Sequence, residues 1–109
     1  MYKQMSIYDW LQPEYPAISD ITDTEAALIV GDAIGMTFKY SDFFEDWEAV
    51  RGILKLSLEY SHYSLSDNQN LFLGVGYENK HDHSGGGRPC DSLDEAIRYF
   101  KGILQNATT

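Results

Sequence analysis

The stretch ILKLSLEYSHY, Ile53 to Tyr63, alternates without a break: Leu54, Leu56, Leu58 and Tyr60 point one way, Lys55, Ser57, Glu59 and Ser61 the other. Successive side chains of a β-strand leave opposite faces, so this pattern describes a strand dry on one side and wet on the other. Such strands belong to antiparallel sheets with one covered face. The fold must therefore supply something apolar to cover that side.

Reading outward, SDNQN (Ser66 to Asn70) is turn chemistry, and LFLGVGY places Leu71, Leu73, Val75 and Tyr77 on a second apolar face. Gly74 and Gly76 fall on the opposite side, where a bulge or another backbone can approach. Upstream, MTFKY alternates Met36, Phe38 and Tyr40 against Thr37 and Lys39. The segment EAVRGI reads either as a short strand ending in an Arg51-Gly52 hairpin turn or as a bulge in one long strand.

The covering elements are helices. TDTE, Thr22 to Glu25, is a capping box; Ala26, Ile29, Val30 and Ala33 follow at helical spacing, and Gly35 suits the left-handed C-terminal position. SLDE, Ser92 to Glu95, opens another helix with an apolar stripe of Leu93, Ala96, Ile97, Phe100 and Leu104, widened by Tyr99 and Ile103. SIYDWL, from Ser6, predicts a short first helix that Pro13 and Pro16 stop. The expected architecture is one α+β domain over residues 1–109, in the order α-α-β-β-β-α, with helices on one face of a three- or four-stranded antiparallel sheet.

From Thr22 to Gln105 the inner order α-β-β-β-α is similar in topology to the double-stranded-RNA-binding domain. That family grips phosphates with basic residues at the start of its last helix, whereas the corresponding turn here reads CDSLDEA, with three acids. The likeness stops at element order, and RNA binding is not expected.

Charge points the same way. Net charge is −9, and residues 1–50 hold ten acids against Lys3 and Lys39. Phosphate neutralisation needs Lys and Arg, so direct nucleic-acid binding is disfavoured and a partner protein with a basic surface is favoured. The opening MYKQMSIYDW lacks the basic-then-apolar pattern of a secretory signal, AALIV is the longest aliphatic run, and a lone cysteine forms no internal disulfide. The expectation is a soluble, cytoplasmic chain.

Two stretches compete as functional sites. HDHSGGGRPCDS, His81 to Ser92, gathers two histidines, three glycines, an arginine and the only cysteine. His81, His83 and Cys90, with His62, are the residues from which a transition-metal site would be assembled, but their spacing matches no standard zinc pattern. Cys90 precedes a helix, yet Asp91, Asp94 and Glu95 oppose a thiolate. The glycines match neither phosphate-binding fingerprint. The expectation is a connector that leaves the third strand sharply at Gly85 to Gly87, with no cofactor.

SDFFEDWE, Ser41 to Glu48, interleaves Asp42, Glu45, Asp46 and Glu48 with Phe43, Phe44 and Trp47. Aromatics provide contact area at low entropic cost, and acids around them suit a basic partner. The alternative is a solvated turn whose aromatics fill the core. YDWLQPEYP, Tyr8 to Pro16, repeats the theme.

The leading expectation is thus a small, acidic, non-enzymatic binding protein with Asp42 to Glu48 as its contact surface. Size and charge resemble those of phage or mobile-element inhibitors of the anti-CRISPR or antirestriction type, whose carboxylates stand in for phosphates on a nucleic-acid-binding effector. The alternatives are a general interaction module or homodimer pairing through a strand edge or the aromatic patch, and a metal-dependent or cysteine enzyme using the His81–Cys90 loop.

Overall fold

A computed structural model describes the backbone of residues 15–65 and 68–107, and the side chains of 15–61 and 71–106. After a 3-10 turn at Ile18–Asp20, the order is α1 (Asp23–Ile34), β1 (Lys39–Ser41), β2 (Asp46–Arg51), β3 (Leu54–Leu65), β4 (Asn68–Asn79), β5 (Gly85–Cys90) and α2 (Leu93–Ala107). The five strands form one antiparallel meander in sequence order. The α+β class stands; the strand number and the element order do not, since five strands replace the expected three or four. The inner order accordingly departs from the α-β-β-β-α of the RNA-binding domain. The expected helix from Ser6 lies outside the described residues.

Register explains which side is covered. Trp47 pairs with Leu58 and Leu58 with Val75, so one row crosses three strands on the same face; Ala49, Leu56 and Tyr77 form the next. Leu54, Leu56, Leu58, Leu73 and Val75 are buried there against Val30 of α1 and Leu93, Ile97 and Phe100 of α2. Burying one such Leu or Phe contributes about 2 kcal/mol through apolar area alone. Tyr60 closes the row's far end, its hydroxyl donating to the carbonyls of Ile18 (2.9 Å) and Ile21 (3.3 Å). No described helix is long and apolar enough to cross a membrane.

Both expected caps form. Glu25 N–H donates to Thr22 Oγ1 at 3.1 Å while Thr22 N–H donates to Glu25 Oε1 at 3.2 Å, and Gly35 ends α1 with φ +73°. At α2, Ser92 Oγ accepts the Glu95 N–H, but the Glu95 carboxylate reaches one residue further back, to Asp91 N–H at 3.0 Å. Gly31 lets the α1–β1 connection pass close: a Cβ there would lie 2.5 Å from the Met36 carbonyl oxygen.

Three boundaries shift. The hairpin between β2 and β3 turns at Gly52-Ile53, one residue later than the Arg51-Gly52 expected, with Arg51 paired to Leu54 and Gly52 at φ +61°. The strand expected over Met36–Tyr40 occupies only Lys39–Ser41, because Phe38 turns into the core beside Phe100, ring centroids 5.8 Å apart. Asn68–Asn70, read as turn, belong to β4. The largest correction is β5. Gly85–Cys90, expected to be a connector, pairs with β4 from Glu78↔Gly85 to Leu73↔Cys90 and forms the sheet edge. A Cβ on Gly85 would collide with the Tyr77 carbonyl, and one on Gly87 would lie 2.8 Å from the Val75 carbonyl oxygen. Glycine is needed there for close strand approach rather than for a turn.

Candidate functional site: the acidic turn between the first two strands

The connection from β1 to β2 is a tight turn, Asp42–Glu45, at the first edge of the sheet. Ser41 Oγ accepts the Phe44 N–H at 3.2 Å, and Glu45 takes a left-handed φ of +56°, which returns the chain into β2. This places Phe43 and Phe44 at the tip, 87% and 58% exposed, as an edge-to-face pair with centroids 4.7 Å apart. Two large rings in water, flanked by the exposed acids Asp42 and Glu45, are not core residues.

Strand alternation then divides β2. Trp47 turns to the helix side, packs on the core margin and donates from Nε1 to Asp23 Oδ2 at 3.0 Å; Tyr40 meets it edge-on at 5.4 Å. The bond pins the sheet to the first turn of α1, where Asp23 also faces the positive helix terminus. Asp23 thereby joins the acids of the turn. Partial desolvation, and then the negative charges of Glu45, Asp42, Asp23 and Asp46, push the Tyr40 phenol above its usual range. Three carboxylates close in sequence and one from α1 thus act on one ring.

Asp46 and Glu48 leave β2 on the open face of the sheet, opposite the helices. Lys55 of β3 stands beside them, its Nζ 3.9 Å from Glu48 Oε2 and 5.0 Å from the Phe44 ring centroid. Asp46 Oδ1 and Glu48 Oε2 are both shielded from water and receive no hydrogen bond. Burial, and then the hydrogen-bonding proximity and charge of Glu48, push the Asp46 carboxyl up to about 6; Lys55 acts against them. A groove of about 740 Å³ runs along β1, between the α1–β1 connection at Gly35–Thr37 and Val50 and Arg51 of β2.

The competing loop is dispersed. His81 and His83 are exposed in the β4–β5 turn, where Asn79 Oδ1 accepts the N–H groups of His81 (2.8 Å) and Asp82 (3.3 Å). Asp82 Oδ1 accepts from Ser84 Oγ and N, bonds that hold its carboxyl below the usual range. Cys90 lies at the other end of β5 from these histidines, five residue steps of about 3.3 Å, or roughly 17 Å, from Gly85. It is buried beneath α2, and burial pushes its thiol up, with Arg88 opposing and Glu95 and Asp91 adding to the rise. Among the described residues no three His, Cys, Asp or Glu side chains converge as metal donors. Of the expected contact residues, Asp42, Phe43, Phe44 and Glu45 form the exposed tip, Asp46 and Glu48 the half-buried open-face pair, and Trp47 a clamp to α1.

Asp23, Tyr40 and Lys55 were not foreseen in this cluster. Asp23 looks like an ordinary capping-box acid, and no local signal links it to Trp47, 24 positions away. No protein-family model, curated protein or solved structure matches this chain.

Proposed function

We propose that this chain is a non-enzymatic binding protein that docks the acidic, aromatic end of its sheet onto a basic surface of a partner protein. The observation that carries this reading is the exposed Phe43–Phe44 pair at the tip of a turn edged by carboxylates. Exposed aromatics are costly in a solvated turn and valuable in an interface, where ring burial supplies affinity and surrounding acids supply steering. Asp23 of α1 and the acids of the turn share this end of the molecule, while Lys55 is drawn under Phe44 rather than outward.

The more specific version is that the partner surface normally contacts nucleic acid and that Asp42, Glu45 and Asp23 stand in for phosphates. This would make the protein an inhibitor of the anti-CRISPR or antirestriction type. It rests on charge and size together with the aromatic tip. Binding through such a face weakens steeply as salt screens it.

The test is affinity capture from the native host at low and high salt with the intact chain and two variants, Phe43→Ala/Phe44→Ala and Asp42→Asn/Glu45→Gln. The expected result is a basic protein captured at low salt and depleted at least tenfold by either variant. Equal capture by all three proteins overturns the reading.

A further inference from the structure

We propose that Asp46 and Glu48 form a proton-operated latch: one proton shared between their carboxyl groups holds the β1–β2 turn against the open sheet face, and its loss to solvent releases the turn. The inference concerns regulation of the proposed docking turn. Only its consequence for binding rests on that reading.

The geometry is that of two acceptors without a donor. Asp46 Oδ1 and Glu48 Oε2 are closed off from water and accept no hydrogen bond, and a single proton between the two groups supplies the missing donor. Positions two apart on one strand share a face, so both carboxyl groups leave β2 on the same side. Lys55 holds the layer above them, reaching Glu48 on one side and the Phe44 ring on the other. Phe44 is in turn tied by its N–H to Ser41 Oγ. The carboxyl pair, the lysine and the aromatic tip are thus stacked in sequence.

The charges facing the pair decide what happens when the proton leaves. From β3 come Lys55 and Glu59; from β1, Lys39 is the cross-strand partner of Glu48; the turn's Asp42 and Glu45 act, together with Asp46, on Tyr40. From β4, the cross-strand neighbours are Gly74 and Gly76, which bring no charge, and Glu78 beside Lys55. With both carboxyls ionised, Asp46, Glu48 and Glu59 compete for the ammonium of Lys55 and draw it from the Phe44 face. The acids of the turn are repelled by the same two charges. Phe44, covered on one face by Lys55 while the turn is held, then joins the already exposed Phe43 in reaching a partner. The Asp46 carboxyl titrates near 6, within the range over which such a latch would respond.

The full-length chain, without any partner, tests this by NMR between about pH 4.5 and about pH 8, following the Asp46 carboxyl and amide exchange of Phe44. After correction for intrinsic exchange, the Phe44 amide should lose protection by at least roughly tenfold through the Asp46 titration, each pK unit of coupling to the turn being a factor of about ten. In Asp46→Asn the side-chain amide donates to Glu48, so protection should stay high at every pH; Glu48→Gln should likewise abolish the transition. A Phe44 amide equally protected across the range, or an Asp46→Asn protein that loosens as the wild type does, overturns the latch. A turn that opens with pH in a chain that captures no basic protein overturns the binding reading alone. Capture by a pH-invariant turn overturns the latch alone.

Discussion

The two edges of the sheet are built from opposite materials. At the β1–β2 edge, a turn crowded with acids and rings presents side chains outward: Phe43 stands almost free in water, and Asp46 and Glu48 crowd each other. At the β5 edge, three successive glycines and Pro89 present almost no side chain, and the backbone itself makes the structure. Each edge must avoid pairing with another chain. The β5 edge does so with a proline that lacks a donor, and the β1 edge with a very short strand and charge. The first edge displays rings and carboxylates, the second mainly backbone. The stretch His81 to Ser92, which gathers the most reactive residue types in the sequence, contributes an edge strand to the sheet.

Substitutions can break that division or sharpen it. The largest effect is expected from Gly87→Val, whose Cβ would press on the Val75 carbonyl: denaturant unfolding should show a loss of about 2–3 kcal/mol, with partner capture by the remaining folded protein unchanged. Loss of capture at full stability would show that the glycine edge is functional after all. Next comes Cys90→Ser, which puts a hydroxyl into the apolar layer under α2; about 1–2 kcal/mol should be lost, with no effect on binding.

Trp47→Phe removes the Nε1–H bond to Asp23 while keeping the ring on the core, and should cost about 1 kcal/mol, the bond being only partly buried. The same variant should weaken capture by freeing Asp23 from the acidic end. An unchanged midpoint would mean that α1 and the turn are not coupled through this bond.

A pH-dependent effect belongs to Asp46. Its folded-state value is raised to about 6 from 3.8, so the native chain holds the proton more tightly than the unfolded one. The stability it contributes is complete below about 4 and is lost as pH rises through about 6. The stability of Asp46→Asn relative to wild type should therefore increase across that window and level off above it. A flat difference would sever Asp46 from Glu48. Phe43→Ala should change stability least, by under about 0.5 kcal/mol, because the ring is 87% exposed.

Both described helices were legible in the sequence because their signals are local: a cap and an acid three residues apart, then apolar residues at helical spacing. β3 and β4 were legible for the same reason, since strict alternation from Leu54 to Tyr60 leaves one choice of buried face. β5 was not, because glycine has no side chain with which to alternate; its assignment depends on β4 offering an unpaired ladder. The candidate site was half legible. Composition marked Asp42 to Glu48 as unusual, but whether its rings lie in water or in the core depends on where the turn falls relative to the strand period.

Two things follow from residue order alone. The chain must make a sheet with one dry side, because Leu54, Leu56, Leu58, Leu73 and Val75 recur at every second position, and it must cover that side with helices capped at Thr22 and Ser92. What only tertiary structure decided was pairing at a distance: β5 zipped onto β4, Trp47 bound to Asp23, and two carboxyls closed off beneath Lys55 and Phe44. The reason is physical. Local periodicity follows from covalent geometry, whereas burial and bonds between segments exist only once those segments have come within a few ångströms of each other.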